Sequence, residues 1–398
     1  MLQPTYVQHI QRDPVSDASR LLDLGGLAVD RVELGSFGGR VVHVVPADET
    51  ASACPSWRML SVCPKGRVYT RPRDIPYWTR VLRLIWHNGG GAARNGCAPG
   101  PRSPSRCRLG VGGEHDLSEH ELPHLEGWRD SRPVRVGNGA WSQSQVDGYG
   151  ELLVAAHRLS DQLGDIDEDT QRFLVACADA AANAWKQPDQ GIWEVRGEPR
   201  DFLYSKVMCW VALDRAIALA DRIGGNHRVD SWKHTREQIY DKVISHGWNE
   251  EVGAFTQHFG STTLDASNLM MPIVGFLPAD DPRMLSTIDA IEKGLTDERG
   301  MVYRYRTTEG VDGIAGEEGT FLLCTFWLAQ ALALSGQVER ATAVFNRAAT
   351  FVNDVGLLAE EVDETTGDLL GNFPQAFSHI GLVNAAWAIS QTALTRQH

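Results

Sequence analysis

From residue 142 onward the chain repeats one pattern: an apolar residue every three or four positions, broken by a Gly- or acid-rich stretch, then begun again. That spacing puts apolar side chains on one face of a helix, and no stretch alternates for long enough to support a strand. The segment 142–164 carries Val146, Tyr149, Leu153 and Val154 at helical spacing, and 169–187 follows after a short acidic break. In 205–225, Cys209, Leu213, Ile217 and Ala220 form one stripe and Asp214, Arg215, Asp221 and Arg222 another, until Gly224 and Gly225 stop it. Further helices are expected at 229–246, 266–276, 284–294, 318–335, 337–352 and 376–394, nine in all. The fold class is therefore all-α, with helices paired by loops.

Four of the connections are rich in chemistry. Segments 134–150, 191–202, 301–321 and 356–379 each combine aromatics, acids and Gly, whereas surface loops usually spend their polar residues on Ser, Asn and Asp. They fall at every second helix junction. In a ring of helical hairpins alternate junctions share a face, so these loops are expected to converge on one mouth. The densest stretch is GIWEVRGEPRDF, where Glu194 lies between Trp193 and Arg196. An aromatic, an acid and a guanidinium this close suggest a binding pocket. The same residues also fit a structural arrangement in which Glu194 pairs with Arg196 and Trp193 plugs a core edge.

Charge and cysteine usage narrow the function classes. Net charge is −13, yet residues 1–110 hold 15 Lys and Arg against 8 Asp and Glu, leaving 23 against 43 for residues 111–398. The acidic remainder repels phosphate polymers, so no nucleic-acid partner is expected. Seven cysteines with no CxxC pair and no zinc-like His/Cys spacing argue against a disulfide framework or a metal site, and the thiols read as buried or incidental. No run of eighteen apolar residues appears and the start MLQPTYVQHIQRD lacks an apolar signal core, so a cytoplasmic protein without a membrane partner is expected.

A series of motifs then appears in order: GEHDLSEHEL, PVRVGNGAW, QVDGYGE, GIWEVRG, YSKVMCWVALDRA, GFLPADDPR, VYRY, EEGTF, LLAEEVD and GNFPQAFSHIGL. With these motifs, residues 111–398 resemble glycoside hydrolase family 15, the glucoamylase-like and bacterial trehalase-like enzymes with an (α/α)6 toroid. The resemblance implies cleavage of α-glucosidic bonds with inversion, by a carboxylic acid and a carboxylate roughly 6.5–9.5 Å apart, with no cofactor or metal. It assigns the general acid to Glu194 and the general base to Glu360, with Glu361 the near competitor. Without the resemblance, Glu360 and Glu361 also read as a solvated acidic helix end. Substrate contacts implied in the same way are Trp141 as a stacking platform, Gln145 and Asp147 beside it, and Arg304 with Tyr305. Trp193 would exclude water from the acid and raise its pKa, while Arg196 would lower it. Glu317 and Glu318 either line the mouth or cap the helix starting near Thr320.

The chain departs from the family in residues 1–110, where an aromatic segment with an Arg–Asp clamp for the nonreducing glucose is expected. Instead, 94–110 holds four Arg, three Pro, three Gly and two Cys in seventeen residues. Such a composition is what out-of-frame reading of a GC-rich gene gives, which accounts for the basic excess without any nucleic acid. The expected architecture is thus a toroid over 111–398, incomplete or irregular at its N-terminal side and three helices short of twelve, preceded by an atypical segment in which 75–88 could supply one of the three. The expected activity is exo-acting release of glucose from maltooligosaccharides, slow for want of the clamp. Trehalose hydrolysis and a catalytically impaired carbohydrate-binding remnant stand as alternatives.

Overall fold

The computed structural model describes residues 117–127, 130–162, 164–306 and 318–395, together with the backbone of three strands between residues 27 and 86. The chain divides into two units, Met1–Arg102 and Ser103–His398. In the first, β1 (Leu27–Leu34) and β2 (Arg40–Pro46) pair antiparallel, and β3 (Leu82–Trp86) joins β2 in parallel with Arg40 opposite Leu82. A helix over 75–88, which would have filled one of the ring's missing places, is therefore corrected: a strand lies within it. An apolar run this short suits either state locally, and pairing with β2 decides.

The second unit contains, among the described residues, nine α-helices. They are α1 (Gly148–Arg158), α2 (Glu168–Ala184), α3 (Leu203–Ala218), α4 (Val229–Gly247), α5 (Met270–Ile273), α6 (Pro282–Gly294), α7 (Leu322–Leu334), α8 (Val338–Ala349) and α9 (Ala376–Thr395). Each falls within or beside an expected segment. Short strands tie the loops between them: β4 (His120–Glu121) to β5 (Arg135–Val136), β6 (Trp248–Asn249) to β7 (Ala254–Phe255), and β8 (Thr320–Phe321) and β10 (Leu369–Leu370) to either side of β9 (Glu361–Val362).

Burial sorts the helices into two layers. Helix α3 packs against α1, α2 and α4, and α7 against α8 and α9. Both α3 and α7 are buried on nearly all sides, and α7 (LLCTFWLAQALAL) contains no charged residue. By contrast α8 buries only Ala341, Val344 and Ala348, and α6 only Met284, Thr287, Ile288 and Ile291. One-faced helices backing fully buried ones is the alternation a ring of hairpins produces. The charged stripe on α3 is not a free solvent face: Asp214 meets Arg236 of α4 at 2.7 Å, and Arg215 donates to the Val274 carbonyl at 2.6 Å. Cys177, Cys209 and Cys324 are buried thiols. No helix among the described residues is long and apolar enough to cross a membrane.

The last helix shows the layer's open side. Helix α9 turns Ser378, Gly381, Ala385 and Ala388 inward, and a side chain at Gly381 would crowd Leu323 and Phe326. Its outer face leaves Phe377, Ile380, Val383 and Trp387 53–66% exposed, at the spacing of one apolar stripe.

Candidate active site

The loop bearing Glu194 is held by side chains from the segment ahead of α1. Asn138 caps a short 3₁₀ turn, Gly139–Ser142, that carries Trp141, and the chain then runs extended instead of continuing as helix. Four consecutive residues of this run bond the loop. The Gln143 amide donates to the carbonyls of Glu194 (3.2 Å) and Val195 (3.1 Å), and Ser144 N–H donates to Gln190 Oε1 (3.0 Å). Gln145 donates to the Gly191 carbonyl (3.3 Å), and Val146 N–H to Asp189 Oδ2 (3.2 Å). Held this way, Glu194 adopts φ +58°, a left-handed conformation that costs a residue with a side chain roughly 1–2 kcal/mol. Gly191, at φ +67°, has Phe202 where a Cβ would stand.

Trp193 connects this loop to the third one. Its indole N–H lies 2.9 and 3.0 Å from the two carboxyl oxygens of buried Asp265, which also accepts from Gln257 and from Ser267 N–H. Burial raises the Asp265 pKa, with those donors opposing. The Trp193 ring stands 6.0 Å from both Phe321 and Trp327, and the Arg304 guanidinium lies over Trp193, Tyr305 and Phe321 at 5.8, 4.9 and 5.4 Å. Arg304 is in turn gripped by both oxygens of Glu318, its Nε 2.7 Å from one of them.

The fourth loop supplies two adjacent glutamates with different settings. Glu360 pairs through its backbone with Asn372 and Leu322, and its Oε2 accepts from Asn372 N–H at 2.9 Å. Gly371, at φ +70°, leaves room for that carboxylate, since a Cβ there would come within 2.8 Å of it. Glu361 begins β9 and turns toward the third loop, where its Oε2 accepts from Gly319 N–H at 3.1 Å. Burial, then the charges of Glu318 and Glu360, push the Glu361 pKa up to about 7. Neither glutamate ends a helix. The four loops are thus linked in series: first to second through Gln143, second to third through Trp193, third to fourth through Gly319 and Glu361.

The raised Glu361 pKa makes a stability prediction. A carboxyl at about 7 when folded and near 4.5 when unfolded favours the folded state below pH 4.5, and that advantage is lost as pH rises through 7. At full expression it is on the order of 3 kcal/mol. Glu361→Gln removes the dependence, so its thermal midpoint should match wild type near pH 4.5 and exceed it by roughly 5–10 °C at pH 8. Parallel midpoints across that range would contradict the assignment of this carboxyl as buried and protonated.

Other expected residues occupy varied places. The Arg196 guanidinium is engaged by Glu119, at 3.0 and 3.3 Å, and Arg135 joins the same carboxylate at 3.3 Å. The reading in which Arg196 serves mainly as the partner of Glu194 is corrected accordingly. Arg196 holds the Glu119 pKa below its ordinary value, and Glu119 also accepts from Gly139 N–H, bracing the Trp141 turn. Glu318 pairs with Arg304, while the N-cap of α7 is Phe321 without a side-chain cap, so the capping role is also corrected. Asp147 is buried at the start of α1, with its pKa pushed up to about 7 by burial and by the carboxylates of Asp189 and Glu151. Tyr305 is buried beneath Arg304. Glu317 lies outside the described residues. Asp265, Gln143, Asp189 and Glu119 escaped the sequence reading. Asp265 carried only the signal of a cap before ASN, and Gln143 none beyond a Ser- and Gln-rich run.

Comparison with known proteins decides the family. The pattern of "Glycosyl hydrolases family 15" matches residues 96–387, which contain all four loops. The chain belongs to this family. The family 15 chain is 45% identical over 291 residues to a trehalase of Mycolicibacterium smegmatis, a match covering 73% of this chain and 43% of that one. It is 39% identical over 282 residues to a trehalase of Thermoplasma volcanium, covering 71% and 45%. The chain therefore spans less than half the length of these relatives. Among solved structures, a bacterial glucoamylase complexed with acarbose superposes with a TM-score of 0.53 at 17% identity, covering 67% of this family 15 chain and 43% of the other. A glycosidase variant in complex with glucose gives 0.53 at 20% identity, covering 66% and 72%. These structures bear out the glucoamylase-like helical fold.

Proposed function

We propose that this chain is an inverting α-glucosidase whose substrate is trehalose. The observation that carries the choice of sugar is the 45% identity to a trehalase over 291 residues, 73% of this chain. Resemblance to glucoamylases is a likeness of fold at 17% identity. Maltooligosaccharides therefore become the second choice of substrate. In this reading Glu194 protonates the glycosidic oxygen, and the Glu360 carboxylate takes a proton from a water that attacks the anomeric carbon from the opposite side. Among the described residues, only Asn372 N–H bonds the Glu360 carboxylate, which leaves capacity for a water. Trp141 and Trp193 offer aromatic faces to the C–H patches of two glucose rings, and Arg304 with Glu318 offers charged partners to their hydroxyls. A water-soluble disaccharide calls for no membrane partner, and a cytoplasmic location belongs to the same proposal.

Glucose release by the purified chain from trehalose, maltose, maltotetraose and isomaltose, each with chelator present, tests the reading. The expected order puts trehalose first by at least tenfold in kcat/KM. Preference for maltotetraose would return the chain to the glucoamylase-like reading, and binding without release would make it a carbohydrate-binding remnant.

A further inference from the structure

We propose that Gln143 is the positioning residue of the acid-bearing loop, its side-chain amide holding the peptide of Glu194 in the left-handed conformation from which the carboxyl meets substrate. The inference rests on reading Glu194 as the general acid and adds the residue that keeps it in place. A left-handed backbone at a residue with a Cβ relaxes unless its surroundings hold it. Here the restraint is local. Within the loop, Glu194 N–H donates to the Gly191 carbonyl at 3.2 Å and Val195 N–H to the Gln190 carbonyl at 3.1 Å. These two turn bonds leave the carbonyls of Glu194 and Val195 pointing outward, and Gln143 Nε2 spans both, at 3.2 and 3.1 Å.

The orientation of that amide is determined by chemistry. Both contacts are carbonyl oxygens, which only accept, so the NH₂ end must face them. Its two protons serve two acceptors. Gln143 Oε1 is buried with no hydrogen-bond partner among the described residues, so the side chain gives up an acceptor's bond to supply two donors here. The neighbouring contacts of Ser144, Gln145 and Val146 hold residues 189–191, ahead of the acid. Of the four, Gln143 alone grips the peptides on either side of Val195, the first of which carries the Glu194 carbonyl. Its own backbone is fixed in turn, since Gln143 N–H donates to the Ala140 carbonyl at 3.1 Å beside Trp141. One residue therefore couples the stacking turn to the acid.

The test uses Gln143→Met, which keeps length and volume but removes both donors, and Gln143→Asn, which keeps the donors but shortens their reach. Amide hydrogen exchange across residues 190–196, followed by mass spectrometry, reads the loop directly and needs no turnover. Both variants should raise its exchange rate tenfold or more while α3 and the thermal midpoint stay near wild type. Unchanged loop exchange in both would overturn the proposal.

Kinetics separate positioning of the acid from general damage. Trehalose needs its leaving oxygen protonated, whereas α-glucosyl fluoride expels a stable anion and depends little on the acid. Gln143→Met should lower kcat on trehalose by roughly 10- to 100-fold and on the fluoride by less than about 3-fold, with KM little changed. Equal losses on both would mean a merely structural role and overturn the proposal. Glu194→Gln is the control for the underlying reading. If it spares the fluoride and Gln143→Met does not, the acid assignment stands and the positioning claim fails. If Glu194→Gln loses both alike, the acid assignment itself falls, and the claim about Gln143 with it.

Discussion

Glu194→Gln should lower kcat for trehalose by roughly 10²- to 10⁴-fold, with little change in KM and a thermal midpoint close to wild type. The carboxamide matches the carboxyl in shape, and the backbone bonds of this residue to Gly191 and Gln143 are untouched by the change. The fold of the loop is therefore retained while the transferable proton is lost. The ground-state contacts proposed for Trp141, Trp193 and Arg304 do not depend on that proton, so the loss belongs in kcat. Steady-state kinetics with a melting curve check it. A loss smaller than about tenfold would remove Glu194 from the acid's role.

Glu360→Gln should cost a similar factor, roughly 10²–10⁴ in kcat, whereas Glu361→Gln should cost less than about tenfold. The contrast follows from where the neighbouring side chains go. Glu361 is half-buried beside Gly319, Glu318 and Arg304, and at about 7 its pKa leaves a large protonated fraction at neutral pH. A protonated carboxyl cannot accept a proton from water. The Glu360 side chain, half-buried as well, keeps to the Asn372 side, with its backbone anchored at both ends. Kinetics of the two single variants between pH 5 and 8 decide between them. If Glu361→Gln is the crippled one, the base has been assigned to the wrong glutamate.

The helices were legible because their evidence is local. Leu213 and Cys209 lie one turn apart on α3, and five consecutive residues are enough to see the pairing. Ends were less legible where a distant segment overrides local preference. Thr320 and Phe321 read as part of the first turn of a helix, yet they pair with Val362 and Glu361, forty or more positions on, and α7 starts only at Leu322. The run 75–88 failed for the same reason, since its strand is defined by β2. In the site, Trp193 and Glu194 stood out because an aromatic beside an acid is unusual in a Gly- and Pro-marked loop. Their supports did not, because each acts across a long stretch of chain: Gln143 on Glu194, Asp265 on Trp193, Glu119 on Arg196. A Gln among serines or an Asp at a turn gives no sign of such a partner. Nor does the text EEV reveal that one Glu meets Asn372 and the next meets Gly319.

In the proposed mechanism Glu194 and Glu360 act from opposite faces of an α-glucosidic bond, and the stereochemistry of the products reports on that arrangement. Proton NMR of trehalose mixed with the purified chain, recorded before mutarotation, distinguishes the anomers as they form. Inversion gives one β-glucose, from the ring attacked by water, for each α-glucose released as leaving group. Equal initial rates of α and β appearance are expected, both lost in Glu194→Gln and in Glu360→Gln. Two α-glucose molecules per turnover, with β appearing only by later mutarotation, would contradict that mechanism.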